Sequence, residues 1–139
     1  MPRYYFDTSA LIKRARQEPE SSALRQFVKT TAEAGQVLFT SAVATVEVER
    51  ALRSIASRAG LSSYPLAAAS RAALSGLSLV PLSEQLLQMV KWIGPDHLRS
   101  LDAIHLASAM IYNADRLVTY DQRLSEAANM LGLTLVAPS

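Results

Sequence analysis

Apolar and polar positions follow two periods along the chain, and where one gives way to the other they predict strands interleaved with helices. Arg3 to Phe6 is short and aromatic and closes on Asp7-Thr8-Ser9, the pattern of a strand running into a helix. Ser21 to Ala34 sets Leu24, Phe27, Val28 and Thr31 at helical spacing, with Gly35 as the stop. Val37 to Phe39 predicts a second strand, closing at Thr40-Ser41, where a hydroxyl can cap the next helix. From Ala42 to about Arg58 the stripe Ala44, Val48, Ala51, Leu52 and Ile55 predicts a helix that carries Glu47 and Glu49 on its two flanks and ends before Gly60. Pro65 to Leu74 is an alanine-rich helix closed by Gly76, and Leu77 to Leu82 reads as a strand whose Pro81 suits an end or an edge. Ser83 caps a helix over Glu84 to Ile93 that Gly94-Pro95-Asp96 breaks. Leu101 to Ile111 is apolar on nearly every face and predicts a buried helix, with Ser100 as its cap and a turn at 113–115. Leu117 to Tyr120, a helix over Gln122 to Met130 and a strand over Leu133 to Val136 complete the chain. Such alternation predicts an α/β fold with a central parallel sheet of about five strands flanked by helices, and a functional crevice beyond the carboxyl ends of the strands.

Composition narrows the chemistry. A chain of 139 residues suits one domain, taken as 1–139. Half the residues are apolar, yet no uncharged run approaches the ~20 needed to cross a membrane, and the first residues lack a secretory pattern, so a cytoplasmic, membrane-free protein is expected. With no cysteine and two histidines, thiolate and conventional zinc sites are excluded, so any metal should be a hard cation held by oxygen. Fourteen basic against twelve acidic residues leave a net charge of +2, which permits a polyanionic partner without pointing to one.

One residue contradicts its surroundings. Asp102 lies in the apolar helix, and a carboxylate there is costly unless paired, bonded or bound to a metal. Asp7 and Asp121 follow predicted strands directly, and Glu47 lies early in the helix after the second strand, so the topology can bring four acids to one sheet edge. Singly, each has a structural alternative: Asp7 and Asp121 as helix caps, Asp102 as a first-turn acid, Glu47 paired with Arg50. Gathered, they repel one another unless a divalent cation such as Mg²⁺, with Mn²⁺ as substitute, neutralises them, and that cation serves phosphodiester hydrolysis. Periodicity does not choose between Glu47 and Glu49; Glu49 has Arg53 four residues on as a partner. His105 reads as a satisfied structural histidine. Lys13, Arg14 and Arg16 follow the first acid closely and are candidates for holding phosphates, with solvated charge as the alternative.

The segments Tyr5-Phe6-Asp7-Thr8-Ser9-Ala10-Leu11, Ser41 followed by Glu47-Val48-Glu49-Arg50-Ala51-Leu52, Leu98 to Ala107 around Leu101-Asp102-Ala103-Ile104-His105, and Val118-Thr119-Tyr120-Asp121-Gln122-Arg123-Leu124 together resemble the PIN-domain ribonucleases, specifically the VapC-type toxins of toxin–antitoxin pairs. The resemblance spans nearly the whole chain, with the stretch around Asp102 its most specific part. It implies a PIN-like three-layer fold and a metal-dependent endoribonuclease. Its acidic quartet would be Asp7, Glu47, Asp102 and Asp121, with Ser9 and Thr119 as supporting hydroxyls, so the family pattern selects Glu47 over Glu49. It also implies an RNA substrate, which makes Lys13, Arg14 and Arg16 candidates for binding RNA phosphates, together with a small cognate antitoxin protein and a homodimer. The alternatives are a non-catalytic PIN-like module that binds RNA or protein, and a structure-specific DNA nuclease.

Overall fold

The computed structural model describes residues 1–139, and its strands pair in the order β3-β2-β1-β4-β5, all parallel. Central β1 (Arg3–Phe6) leads through α1 (Thr8–Ala15) and α2 (Ser21–Glu33) to β2 (Val37–Ser41), and α3 (Val43–Arg58) and α4 (Leu66–Leu74) lead on to edge strand β3 (Ser78–Val80). The chain then returns through α5 (Glu84–Val90) and α6 (Ser100–Ile111) to β4 (Arg116–Val118) on the other side of β1, and α7 (Gln122–Met130) connects to β5 (Thr134–Val136). The expected five-stranded parallel sheet is therefore present. The direction of strand addition reverses at β1 and β4, and that switch point is where a parallel sheet opens a crevice at its carboxyl edge.

Period-two alternation divides the core between the two faces of the sheet. Tyr5, Phe39 and Leu117 point one way and pack with Leu106, Ala109, Leu124 and Ala128, from α6 and α7. Their neighbours Phe6, Leu38 and Val118 point the other way, into Leu11, Leu24, Val48, Leu52 and Ala73, from α1 to α4. Helices on both faces complete the three layers, and the central strands β1, β2 and β4 need no alternating polar face because they are covered twice, whereas edge strand β3 leaves Ser78 and Leu79 exposed.

Local boundaries differ from the sequence reading in instructive places. Ser83 caps α5 as expected, accepting from the Leu86 N–H at 3.1 Å, but α5 ends at Val90, short of Ile93. Gly94 closes the following turn at φ +76°, where a Cβ would also lie 2.8 Å from Leu98, so no other residue fits there without strain. Ser100 does not cap α6: Arg99 holds the cap position with no side-chain bond, and Ser100 is the first helical residue. Ser41 does bond forward, accepting from the Val43 N–H at 3.1 Å, whereas Thr40 turns inward onto the Phe6 carbonyl at 2.7 Å. No helix is long and apolar enough to cross a membrane.

Candidate active site

Asp7 follows β1 at the switch point and caps α1, accepting from the Ala10 N–H at 3.0 Å. Its side chain is only 3% exposed. Ser9 Oγ donates to Oδ1 at 2.7 Å and Thr119 Oγ1 to Oδ2 at 2.6 Å, so both carboxylate oxygens are held by hydroxyls. Burial nevertheless pushes the Asp7 carboxyl above its ordinary range, and the donors from Thr119, Ser9 and Ala10, with the nearby His105, offset that only in part. Thr119 also accepts from the Asp121 N–H at 3.0 Å, and Ser9 Oγ accepts from the Tyr120 N–H at 2.9 Å. The carboxyl ends of β1 and β4 are thus stitched together through two hydroxyls.

Asp121 caps α7, accepting from the Leu124 N–H at 2.9 Å through Oδ1. Glu47 reaches across from α3 and is fastened through one oxygen: Thr8 Oγ1 donates to Oε1 at 2.9 Å, and His105 Nε2 lies 2.6 Å from the same atom. His105 is 2% exposed, and its other nitrogen lies 2.7 Å from the Tyr5 hydroxyl. If Tyr5 donates to Nδ1, the proton on Nε2 points at Glu47 and both ring nitrogens have a partner. His105 therefore has the structural role read for it, and it adds a direction to Glu47. Glu49 is exposed on the other flank and pairs with neither Arg53 nor any other cation, nor does Glu47 pair with Arg50.

The Asp102 side chain, in the first turn of α6, makes no protein hydrogen bond. Partial burial raises its carboxyl above the ordinary value, Asp121 and Glu47 raise it further, and His105 and Arg99 pull the other way. Glu47, Asp102 and Asp121 line one open cleft of 810 Å³ together with Arg99, Ser100, Gln122, Arg123 and Glu126. Asp7 lies behind this wall, one hydrogen-bond step from Asp121 through Thr119 and adjacent in sequence to the Thr8 that holds Glu47. The structure brings three of the four acids onto one surface and sets the fourth beneath it, rather than converging all four on one point.

The donor set fits a hard divalent cation: every candidate ligand is oxygen, and the mutual repulsion felt at Asp102 is what a cation would relieve. No three Asp, Glu or His side chains are close enough to clasp an ion directly.

Two of the three basic residues considered from sequence are committed elsewhere. Lys13 bonds Glu18 at 2.8 Å and Glu20 at 2.9 Å, and although burial lowers its ammonium, those two carboxylates outweigh the loss and raise it. Arg14 donates to the Ala73 carbonyl at 2.8 Å, tying α1 to α4, with burial lowering its guanidinium. Arg16 remains half exposed, 3.9 Å from Glu18. The basic groups at the cleft are instead Arg99 and Arg123, which the sequence reading passed over although one immediately precedes α6 and the other follows Asp121 by two residues.

The same architecture recurs in known proteins. A family model described as the PIN domain matches residues 4–130. The chain is 40% identical over 141 residues to Ribonuclease VapC46 of Mycobacterium tuberculosis (strain ATCC 25618 / H37Rv), with all of both chains covered. It is 37% identical over 136 residues to Ribonuclease VapC47 of Mycobacterium tuberculosis (strain CDC 1551 / Oshkosh), with 96% of each covered. A crystal structure of VapBC2 from Rickettsia felis bound to a DNA fragment from their promoter superposes with a TM-score of 0.71 at 14% identity, covering 98% of both chains, which supports the fold. With the family model spanning most of its length and full-length relatives named VapC, the chain belongs to the PIN-domain family, in its VapC-type branch.

Proposed function

We propose that this protein is the toxin of a VapBC-type toxin–antitoxin module, an endoribonuclease that hydrolyses RNA phosphodiesters with Mg²⁺, or Mn²⁺ in its place, and that residues 1–139 form a single PIN unit acting in the cytoplasm. The observation that carries the reading is the open cleft at the switch point, walled by Glu47, Asp102 and Asp121, in a chain whose full-length relatives are ribonucleases. Glu47, Asp102 and Asp121 would hold the cation, with Asp7 supporting it from below. When bound, the cation supplies a Lewis acid that makes a water nucleophilic at neutral pH and balances phosphate charge.

The chain's own residues do the rest. Burial raises the Asp7 carboxyl, and the hydroxyls of Ser9 and Thr119 pull it back toward the ionised form while fixing the direction of both its oxygens. Thr8 and His105 fix Oε1 of Glu47, which leaves Oε2 as the oxygen available to the cleft. Arg99 and Arg123 supply forked donors for the non-bridging oxygens of a phosphate brought to the acidic wall, which would otherwise repel it.

A wall of carboxylates is also what an arginine from a protein partner would enter, since bidentate charge-assisted pairing suits guanidinium best. We assign that role to a small cognate antitoxin, which would silence the enzyme by covering the cleft. Incubating total cellular RNA with purified wild type and with Asp7→Asn, in Mn²⁺ and in EDTA, and mapping new RNA ends tests the reading. New discrete ends should appear only with wild type and metal. Ends that persist in the variant, with contaminating ribonuclease excluded, would remove Asp7 from the mechanism.

A further inference from the structure

The outward face of α3 has no part in the site or the core. Val48, Leu52 and Ala56 point inward, while Arg50, Arg53, Ser54, Ser57 and Arg58 recur at the spacing that puts them on one face. They line a shallow groove of 320 Å³ that contains neither a hydrophobic side chain nor a carboxylate. None of these three arginines makes an ion pair; Arg58 turns its Nε and Nη2 onto Ser54 Oγ at 3.3 and 2.8 Å. Arg16, exposed after the end of α1 and only loosely paired with Glu18 at 3.9 Å, meets Arg58 in an adjoining groove with Ile55 and Ala59. Like charges at this spacing weaken a helix by about 0.2–0.5 kcal/mol per pair, and Glu49, which is within reach in sequence, does not neutralise them. A chain with a net charge of only +2 has therefore concentrated uncompensated guanidinium groups on a single helix face.

The place of that face is informative. Glu47 stands at the cleft, and Arg50 is the next residue but two on the same helix. The arginines lead from the cleft toward the carboxyl end of α3, and the rise of ~1.5 Å per residue sets Arg50 about 4.5 Å and Arg58 about 16 Å beyond Glu47 along the axis. Guanidinium forks match phosphate oxygens, and the hydroxyls of Ser54 and Ser57 add short donors between them. No aromatic ring lines the groove to stack a base, so it is built to hold a backbone without reading sequence.

We propose that Arg50, Arg53 and Arg58, with Arg16 at the far end, form a phosphate track that carries the single-stranded RNA leading into or out of the cleft. This rests on the ribonuclease reading above. The track sets affinity for long RNA and leaves the chemical step to the cleft.

The test compares wild type, Arg50→Gln/Arg53→Gln/Arg58→Gln, and a control with the same reduction of charge elsewhere, Arg25→Gln/Lys29→Gln/Lys91→Gln. Binding of a fluorescent, unstructured RNA long enough to overhang the cleft is followed by anisotropy in EDTA across a salt series. Thermal melting checks that each variant is folded. The track variant should bind more weakly, and its log–log salt slope should be shallower by about 2, because each single-strand phosphate that an arginine neutralises adds ~0.7 to that slope. The control should keep most of the wild-type slope. With Mn²⁺ the track variant should raise KM for the long RNA with kcat retained, while an RNA short enough to occupy only the cleft is cut equally by all three. Wild-type affinity and slope in the track variant, with wild type cleaving normally, would overturn the track alone. If that variant instead loses association with a second copy or a protein partner while binding RNA as before, the face is a protein interface and the proposal is wrong. Wild type that neither binds nor cuts RNA would overturn the ribonuclease reading and the track with it.

Discussion

Thr119→Val isolates how the buried carboxylate is kept ready. The substitution preserves shape and removes the hydroxyl that donates to Asp7 Oδ2 at 2.6 Å. A hydrogen bond to a charged group contributes about 1.5–3 kcal/mol, and losing it removes a donor that favours the ionised form, so the Asp7 pKa should rise. That pKa already lies above the ordinary aspartate value because of burial. A folded state that holds a proton more tightly than the unfolded chain gains stability as pH falls through the folded pKa, and loses it as pH rises. Metal-free protein should therefore become more stable on mild acidification, and the variant should begin to do so at higher pH. The difference between wild type and variant should be largest above the variant's Asp7 pKa, shrink as pH falls from there to the wild-type pKa, and lose its ionisation-dependent part below it, because both carboxyls are then neutral. A pH-independent part remains, since the Asp121 N–H at 3.0 Å loses its acceptor as well; an unsatisfied donor costs about 1–3 kcal/mol, less where water reaches it. Urea unfolding in EDTA at a series of pH values measures both parts. A cost that is the same at every pH would show that Thr119 does not act on Asp7 ionisation.

The neighbouring charges and hydrogen bonds set further expectations. Asp102 has no hydrogen bond to lose, so Asp102→Asn should melt higher than wild type in EDTA by relieving repulsion from Asp121 and Glu47, less the roughly 0.3–1 kcal/mol a first-turn acid gains from the helix dipole. Saturating Mn²⁺ should stabilise wild type, by about 2.7 kcal/mol at a hundredfold excess over Kd, and the variant much less; a variant that melts lower than wild type in EDTA contradicts the repulsion. His105→Gln cannot serve both the Tyr5 hydroxyl and Glu47, and leaving one buried partner unmet should cost about 1–3 kcal/mol in a urea titration. Unchanged stability would mean water replaces the imidazole. From the VapC resemblance we also expect a homodimer, which light scattering at micromolar concentration would refute by returning a monomer mass.

Much of this was legible because it is local. The polar triplet after Phe6, the Ser83 cap and the all-round apolar stretch of α6 are decided within a few residues of themselves. They located β1, α5 and the buried helix that carries Asp102. What was not legible depends on partners distant in sequence. Periodicity left Glu47 and Glu49 equivalent; the difference between them is His105, 58 residues on, which bonds one and not the other. Lys13 and Arg14 looked like free cations, and their commitment to Glu18, Glu20 and the Ala73 carbonyl follows from how α1 meets the next loop and α4. Ser100 has the chemistry of a cap, yet the chain enters α6 one residue early and Arg99 takes the position. The four acids could be assigned to one sheet edge, but the depth of Asp7 beneath the others depends on the hydroxyls of Ser9 and Thr119, which join two strands far apart in the chain.

The central claim is that the acidic cleft hydrolyses RNA with a divalent cation. Titrating purified protein with Mn²⁺ on matched RNA and DNA oligonucleotides, beside Asp102→Asn, addresses it most directly. The account predicts RNA cleavage that rises with Mn²⁺, stops in EDTA, is absent in the variant and is not matched on DNA. Binding without turnover at any Mn²⁺ concentration, or preferential cleavage of DNA, would contradict it.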